Sequence, residues 1–301
     1  MGELMRKQKT KQTDLHVSQP MGLMEFLLQK MGGMSRTSVK SLLSHRQVQV
    51  NNRVETQYNY ALSVGDKVVV LTSAANMELI HPKLRIVFED NDLLVVEKKA
   101  GILTVPTNVG SRESTVLSVL KTYVRKANPR NGVFVVHRLD RETSGLLVFA
   151  KSRELQEFMR DNLKLVTTDR AYTALVEGVV EKENDTVVSW LTENPKTTRV
   201  YSSFTDNGGK KSITHYEKLQ NNADYSLIEL RLETGRTNQI RVQMASIGHP
   251  VVGDRKYGNG ASPVMNRLAL HAHLLAFNHP VTRQKLSFEL PVPKEFFKVF
   301  R

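Results

Sequence analysis

One central segment constrains the fold most, because it places a short charged loop between two apolar runs. The runs, Val133–Val136 and Leu146–Ala150, predict buried strands. A loop fixed between two core strands positions a side chain accurately, and this loop contains Asp140. Arg138 and Arg141 flank Asp140, and nearby positive charge keeps a carboxylate ionised at neutral pH. We predict an aspartate suited to nucleophilic attack; the alternative is a surface turn with a salt bridge.

The whole string HRLDRETSGLLVFAK, residues 137–151, narrows this choice. It resembles the signature of the RluA-type pseudouridine synthases, whose catalytic aspartate lies in an HRLD-x-x-TSG-LLV motif. The resemblance implies that Asp140 is the nucleophile and that Arg138 takes the place of the displaced base. Composition and periodicity alone would not have indicated either role.

Two later strings extend the resemblance and supply partners for the aspartate. DRAYTALVEG resembles the family motif K-x-Y-x-AL-V-x-G and implies that Tyr172 contacts the flipped base, although an isolated tyrosine in a strand is usually a core residue. TGRTNQIRVQ resembles TGRTHQIRVH and implies that Arg241 pairs with the catalytic aspartate, which a forked guanidinium suits better than an ammonium group. Asn238 and Gln243 replace histidines of the family motif, and both can still form hydrogen bonds.

The N-terminal segment from Phe26 to Val54 contains no acidic residue and several bases. Four bases lie on a predicted helix and in the loop after it, where a positive face would bind RNA phosphates. They are Arg36, Lys40, His45 and Arg46. A solvated helix face is the alternative. Residues 20–72 resemble the S4 RNA-binding domain, and this resemblance favours the RNA-binding interpretation.

The charge balance indicates a polyanionic partner. The 301 residues include 43 Lys and Arg against 30 Asp and Glu, a formal net charge of +13 that suits nucleic acid or an anionic membrane surface. No apolar run approaches the roughly 20 residues of a membrane span, and no signal-peptide stretch is recognisable. The absence of cysteine excludes disulfides and cysteine nucleophiles, and it agrees with a reducing compartment. We predict RNA as partner, no membrane association and a cytoplasmic location.

Neither a cofactor nor a metal is predicted. The chain contains no GxGxxG or P-loop string, so nothing indicates a nucleotide cofactor. His271 and His273 would share one face of a strand, but no carboxylate accompanies them closely in sequence. Their segment resembles the ordinary C-terminal strand of the family. We also predict that the protein is a monomer.

Local patterns predict the ends of several elements. Ser35 or Thr37 is predicted to cap the second helix of the N-terminal segment. Asn51–Asn52 suits a tight hairpin turn between two short strands. Thr237 is predicted to cap the helix of the TGRTNQIRVQ string.

Strands outnumber helices in the pattern, and few βαβ repeats are apparent. With the resemblance, this predicts an α+β protein: a small S4 domain of the αL type, then a catalytic domain on a mixed, mostly antiparallel sheet. We predict a basic tail at residues 1–13, the S4 domain at 14–73, a linker at 74–82 and the catalytic domain at 83–301.

The resemblance covers about residues 20–300 and implies an isomerase that converts specific uridines of RNA, in particular large-subunit ribosomal RNA, to pseudouridine. The base must leave ribose C1′, turn and rejoin through C5, which requires an extruded nucleotide in a closed pocket. Two alternatives stay open. One is a non-catalytic RNA-binding factor of ribosome assembly. The other is a glycosidase-like hydrolase, which would need a second carboxylate about 5 Å from Asp140.

Overall fold

The computed structural model describes residues 12–32, 34–44, 47–71, 79–108 and 110–300. The chain divides into two compact units. The first contains the described part of residues 1–79 together with 89–91 and 120–133, and the second contains the remaining described residues. Among all of these, no helix combines the length and the apolar character that a membrane span requires.

The first unit is a small α+β module. Its elements are β1 (Gln12–His16), β2 (Met21–Gly22), α1 (Leu23–Lys30), α2 (Arg36–Ser44), β3 (Val48–Val50), β4 (Arg53–Val54), β5 (Ala61–Leu62) and β6 (Lys67–Leu71). The strands β1, β6, β3 and β4 form an antiparallel sheet in that order, and β2 pairs with β5. One face of each helix packs on the sheet, through Phe26 and Leu27 of α1 and Val39 and Leu43 of α2.

Two local predictions in this unit are confirmed and one needs correction. The Ser35 hydroxyl accepts the Ser38 N–H at 3.1 Å, as an N-cap does. Asn51 and Asn52 both have positive φ, 49° and 65°, which is the backbone of a type I′ hairpin turn. The predicted tail ends too late, because residues 12 and 13 pair with β6 as part of β1. Residues 1–11 and 72–78, with most of that tail and part of the predicted linker, lie outside the described residues.

The second unit is built on one large sheet. Its elements are β7 (Leu84–Glu89), β8 (Leu93–Lys98), α3 (Val116–Ala127), β9 (Phe134–Val135), β10 (Ser144–Ala150), α4 (Arg153–Asp161), α5 (Leu163–Val166), β11 (Thr167–Glu177), β12 (Asn184–Glu193), β13 (Val200–Ser203), β14 (Lys210–Asn221), β15 (Tyr225–Leu232), α6 (Gln239–Ser246), β16 (Leu270–Asn278), β17 (Lys285–Glu289) and a final 3-10 helix (Lys294–Phe300). The end of β7 and the second part of α3 are grouped with the first unit.

The large sheet has the strand order β13-β12-β14-β15-β11-β16-β10-β8-β7, with β17 beside β16 and β9 beside β10. Within the described part of the chain, the pairing of β10 with β16 is the only parallel one between named strands. The prediction of an α+β fold on a mixed, mostly antiparallel sheet is therefore confirmed.

Of the two apolar runs in the central segment, only the second forms the fully buried strand that was predicted. All seven residues of β10 are buried, as the second run predicts. The first run forms only the short strand β9, because Phe134 and Val135 alone pair with the end of β10 and are half-buried.

A glycine permits the parallel pairing at the start of β10. Gly145 has φ 125°, and a Cβ at this position would collide with the backbone of Ala272 in β16. This close approach fixes the strand that directly follows the Asp140 loop.

Candidate active site

The loop that carries Asp140 is fixed by hydrogen bonds to its backbone. The Thr104 hydroxyl donates to the Leu139 carbonyl at 2.7 Å and accepts the Leu139 N–H at 3.2 Å. The Gly101 N–H donates to the Arg141 carbonyl at 2.8 Å. The backbone on both sides of Asp140 is thus held, while 28% of its side chain is exposed and accessible to a substrate.

Lys98 holds the same loop through hydrogen bonds from its buried side chain. Its ammonium nitrogen is buried at the end of β8 and donates to the carbonyls of Lys99, Arg141 and Thr143 at 3.2, 2.9 and 2.6 Å. Burial lowers the pKa of Lys98 to about 7, although neighbouring carboxylates oppose this change. Three carbonyl acceptors match the three donors of the charged form. When charged, Lys98 thus ties three loop carbonyls to the end of β8, and the cost of burying that charge is what lowers its pKa.

Arg241 joins Asp140 to a second carboxylate, Asp254. Its Nη1 donates to Asp140 Oδ2 at 2.9 Å. Its Nε and Nη2 donate to Asp254 Oδ2 and Oδ1 at 2.7 and 2.8 Å, a bidentate fork. The Asp254 side chain is fully buried and that of Arg241 is 14% exposed. Since two of its nitrogens are fixed in the interior, Arg241 presents its third nitrogen to Asp140 in one geometry.

The surroundings of Asp254 and Arg241 keep both side chains ionised. Burial would raise the pKa of Asp254, but hydrogen bonds from Arg241 and from the backbone N–H groups of Lys256 and Tyr257 bring the pKa below its usual range. Burial would likewise lower the pKa of Arg241, but Asp254 and then Asp140 raise it above its ordinary value. A permanent positive charge therefore faces Asp140.

Asn238 begins α6 and supports the arginine. Its backbone is left-handed, with φ 53°, and its side chain makes no capping hydrogen bond. Instead its Oδ1 accepts from Arg241 Nη1 at 3.2 Å and its Nδ2 donates to the Tyr257 hydroxyl at 2.9 Å. The predicted cap by Thr237 is therefore wrong. The helix begins one residue later, at a type that tolerates positive φ.

Gln243, the other departure from the family string, lies in the core. Its Oε1 accepts from the Thr214 hydroxyl at 2.6 Å, and its Nε2 donates to Val187 O, Ser189 Oγ and Ser212 O at 3.0–3.1 Å. These partners belong to β12 and β14, so the glutamine ties α6 to the sheet and helps to position the arginine of that helix.

Tyr172 lies in β11 and is 6% exposed. Burial raises the pKa of its phenol; the charge of Arg170 opposes the rise and that of Asp140 adds to it. The hydroxyl therefore stays protonated at neutral pH, and the Asp140 carboxylate is near enough to contribute to the rise.

The two arginines beside Asp140 in sequence behave differently from Arg241. Arg141 pairs with Glu113, through both terminal nitrogens of its guanidinium. Arg138 is exposed at the loop surface. The cation that contacts Asp140 is thus supplied by α6, not by the flanking residues.

The predicted RNA-binding residues are described in part. Arg36 and Lys40 are exposed on α2, and the Lys40 ammonium lies 5.8 Å from the ring centroid of the exposed Tyr58. His45 and Arg46 lie outside the described residues.

His271 and His273 belong to a buried polar network. His271 Nδ1 lies 2.8 Å from Ser144 Oγ, and His273 contacts Thr173 Oγ1 at 3.1 Å and Glu229 at 3.2 Å. Burial lowers the pKa of His271 to about 3 and also lowers that of His273. Both rings are therefore neutral at physiological pH and bonded to protein groups.

Sequence reasoning did not identify Asp254, Lys98 and Thr104 as parts of the candidate site. For Asp254 a signal was present, because a charged residue directly follows two valines and a glycine. Gly253 has φ 74°, and a Cβ there would collide with the Arg267 carbonyl. A carboxylate at such a tight turn after an apolar pair indicates a buried, partnered charge.

These contacts define a candidate active site, in which an accessible aspartate is held by an internally anchored arginine. Comparison with known proteins gives its family. Residues 92–246 match the family described as RNA pseudouridylate synthase, and residues 21–68 match the S4 domain. The chain belongs to the RNA pseudouridylate synthase family and carries an N-terminal S4 domain.

Individual relatives agree with this assignment. The chain is 35% identical over 275 residues to an uncharacterised RNA pseudouridine synthase, YhcT, of Bacillus subtilis, covering 89% of this chain and 88% of the relative. It is 31% identical to the ribosomal large subunit pseudouridine synthase D of Haemophilus influenzae, covering 88% and 86%. Among solved structures, human RNA pseudouridylate synthase domain containing 1 is similar, with a TM-score of 0.56, 26% identity, and coverage of 70% of this chain and 86% of that one.

Proposed function

We propose that the protein isomerises specific uridines of large-subunit ribosomal RNA to pseudouridine, with Asp140 as the nucleophile. The observation that carries the proposal is the Asp140–Arg241–Asp254 network, in which an accessible carboxylate meets an arginine fixed from behind. The choice of ribosomal RNA rests on relatives named ribosomal large subunit pseudouridine synthase D.

The reaction needs a carboxylate at the sugar and a cation that orients it, and Asp140 and Arg241 would supply these two groups. The bond between N1 and C1′ breaks, the bond between C5 and C1′ forms, N1 gains a proton and C5 loses one. Asp140 either attacks C1′ or removes a ribose proton, and Arg241 keeps its oxygens oriented throughout. Because Arg241 is held by Asp254, it needs no rearrangement during the reaction, which is the basis of electrostatic preorganisation.

The remaining residues would handle the extruded nucleotide. Tyr172 would pack against the base with its protonated phenol, and the exposed Arg138 would fill the gap left in the RNA stack. Arg36 and Lys40, with His45 and Arg46, would bind phosphates from the S4 domain. For the domain bounds we propose an S4 domain at 12–73, which includes all of β1, a linker at 74–82 and a catalytic domain at 83–301. We also propose that the protein is a monomer that works without a cofactor in the cytoplasm.

The hydrolase alternative requires a second carboxylate that can donate a proton. Asp254 lies on the other side of Arg241, but it is fully buried and its oxygens accept four N–H groups. Its lowered pKa keeps it ionised, so it is poorly suited to act as an acid. Glu142, the next carboxylate after Asp140 in the same loop, is exposed to solvent.

Product analysis separates the alternatives. The protein is incubated with transcripts of large-subunit ribosomal RNA and with transfer RNA as a comparison, and the nucleosides are resolved by chromatography. Pseudouridine in the ribosomal transcript is the expected result. Free uracil would indicate a hydrolase, tight binding without either product would indicate an assembly factor, and pseudouridine in transfer RNA alone would overturn the choice of substrate.

A further inference from the structure

Three cations surround one aromatic ring beside the candidate active site. The guanidinium carbons of Arg199 and Arg241 each lie 5.2 Å from the ring centroid of Tyr257, and the Lys256 ammonium lies 5.4 Å from it. The guanidinium groups of Arg199 and Arg241 are therefore separated by at most about twice the first distance. Arg241 contacts Asp140, so the Tyr257 ring places Arg199 and Lys256 on the arginine side of the candidate active site.

Among the described residues, carboxylates neutralise only one of these three charges. Arg241 pairs with Asp140 and Asp254. In the described part of the chain, neither Arg199 nor Lys256 has a carboxylate partner; the Lys256 ammonium donates to the Thr198 carbonyl at 2.6 Å. Two like charges without counterions repel each other, and a bound anion would relieve this repulsion.

The loop that carries Arg199 is ordered by its own hydrogen bonds. The Asn194 N–H donates to the Arg199 carbonyl at 2.9 Å, and the Thr198 N–H donates to the Asn194 carbonyl at 2.8 Å. The next residue, Val200, donates its N–H to the Tyr257 hydroxyl at 3.0 Å. The backbone that carries Arg199 is thus held beside the ring, and a cation on an ordered loop loses less freedom when it binds an anion.

Tyr257 also connects Arg199 and Lys256 to Arg241, the arginine that contacts Asp140. The Tyr257 hydroxyl accepts from Asn238, which in turn accepts from Arg241. The ring face attracts all three cations, and this attraction keeps the exposed side chain of Arg199 close to the site.

We propose that Arg199 and Lys256 form a binding site for the RNA backbone phosphates next to the extruded uridine, a proposal that rests on the proposed function. An extruded nucleotide brings its flanking phosphates toward the pocket, and contacts with them offset the cost of unstacking. The planar guanidinium can bind two phosphate oxygens at once, and the ammonium adds a point charge.

The test measures RNA affinity as a function of salt. A fluorescein-labelled stem–loop of large-subunit ribosomal RNA is titrated with wild type and with Arg199→Ala/Lys256→Ala, in 50–300 mM KCl, and followed by anisotropy. Loss of two phosphate contacts predicts binding weaker by on the order of tenfold near 0.15 M salt, and a log–log salt slope flatter by about 1.4. Arg199→Lys/Lys256→Arg keeps both charges and should restore most of the affinity.

The matched control is Lys285→Ala/Lys298→Ala, which removes two exposed charges from β17 and the final helix and should leave the slope unchanged. An unchanged slope in the Arg199/Lys256 variant, or the same change in the control, would overturn the proposal. So would a defect confined to the reaction rate at saturating RNA, because that would mean the pair only supports Tyr257. If the affinity results hold but wild type forms no pseudouridine, the phosphate site stands and the proposed function fails.

Discussion

Asp254→Asn removes one negative charge from the buried end of the Asp140–Arg241–Asp254 network. Asparagine can still accept from the Lys256 and Tyr257 N–H groups and from one nitrogen of Arg241. Its amide nitrogen, however, would face Arg241 Nε, which now donates to Asp254 at 2.7 Å. Two donors would then point at each other at a fully buried side chain, and Arg241 would lose part of its internal anchor.

The expected cost follows from this burial. Removing one partner of a buried ion pair costs about 3–5 kcal/mol, and the lower end applies because Arg241 keeps Asp140. For a unit of this size, about 3 kcal/mol corresponds to a melting temperature lower by about 6–12 °C. A loosened arginine also misplaces Asp140, which predicts a fall in the turnover rate of about 10- to 100-fold.

The assay combines thermal unfolding with tritium release from RNA labelled at uridine C5. The control is Asp185→Asn, which makes the same chemical change in the exposed Lys182–Asp185 pair and should alter neither quantity. A double variant, Arg241→Gln/Asp254→Asn, should be less destabilised than the sum of the single variants, because no buried charge is left unpaired. If Asp254→Asn melts and turns over like wild type, Asp254 does not hold Arg241 and the reasoning is wrong.

Three further predictions test other parts of the molecule. Burial lowers the pKa of Lys98 to about 7 from its ordinary 10.5, so between these pH values the unfolded chain binds more protons than the folded one. The stability advantage of wild type over Lys98→Met should therefore grow as pH rises from 7 to 10. Melting temperatures that differ by the same amount at every pH would contradict this. Arg36→Ala/Lys40→Ala should flatten the salt dependence of RNA binding by about two phosphate contacts, and an unchanged dependence would place the RNA surface elsewhere. Gly145→Ala should cost about 3 kcal/mol or more in unfolding free energy, since its Cβ would meet Ala272, and near-native denaturant unfolding would refute that close contact.

Features that depend on a few neighbouring residues were predictable from the sequence. The Asn51–Asn52 turn, the Ser35 cap and the buried strand β10 follow from local backbone preferences and from apolar runs. The Thr237 prediction failed because α6 begins after Asn238, whose side chain bonds to Arg241 and Tyr257 and does not cap the helix. These tertiary contacts are not contained in the local pattern.

The site itself depends on long-range contacts that no local pattern contains. Asp140 and Arg241 are 101 residues apart in sequence, and only the family resemblance paired them in advance. Asp254 and Lys98 acquire their roles from burial against partners on other elements. The preceding valine pair and glycine indicate that Asp254 is buried, but no local pattern identifies the partners of Asp254 or Lys98, so the fold was needed to find them.

The most direct test of the central claim is tritium release from ribosomal RNA transcripts labelled at uridine C5, comparing wild type with Asp140→Asn. Asparagine preserves the shape of the side chain and an acceptor for Arg241 but removes the reactive charge. Asp224→Asn, at an exposed aspartate, serves as control. We predict release by wild type and by the control and none above background by Asp140→Asn, with RNA affinity unchanged. Release by Asp140→Asn at the wild-type rate, or none by wild type despite tight binding, would contradict the assignment of Asp140 as the nucleophile of a pseudouridine synthase.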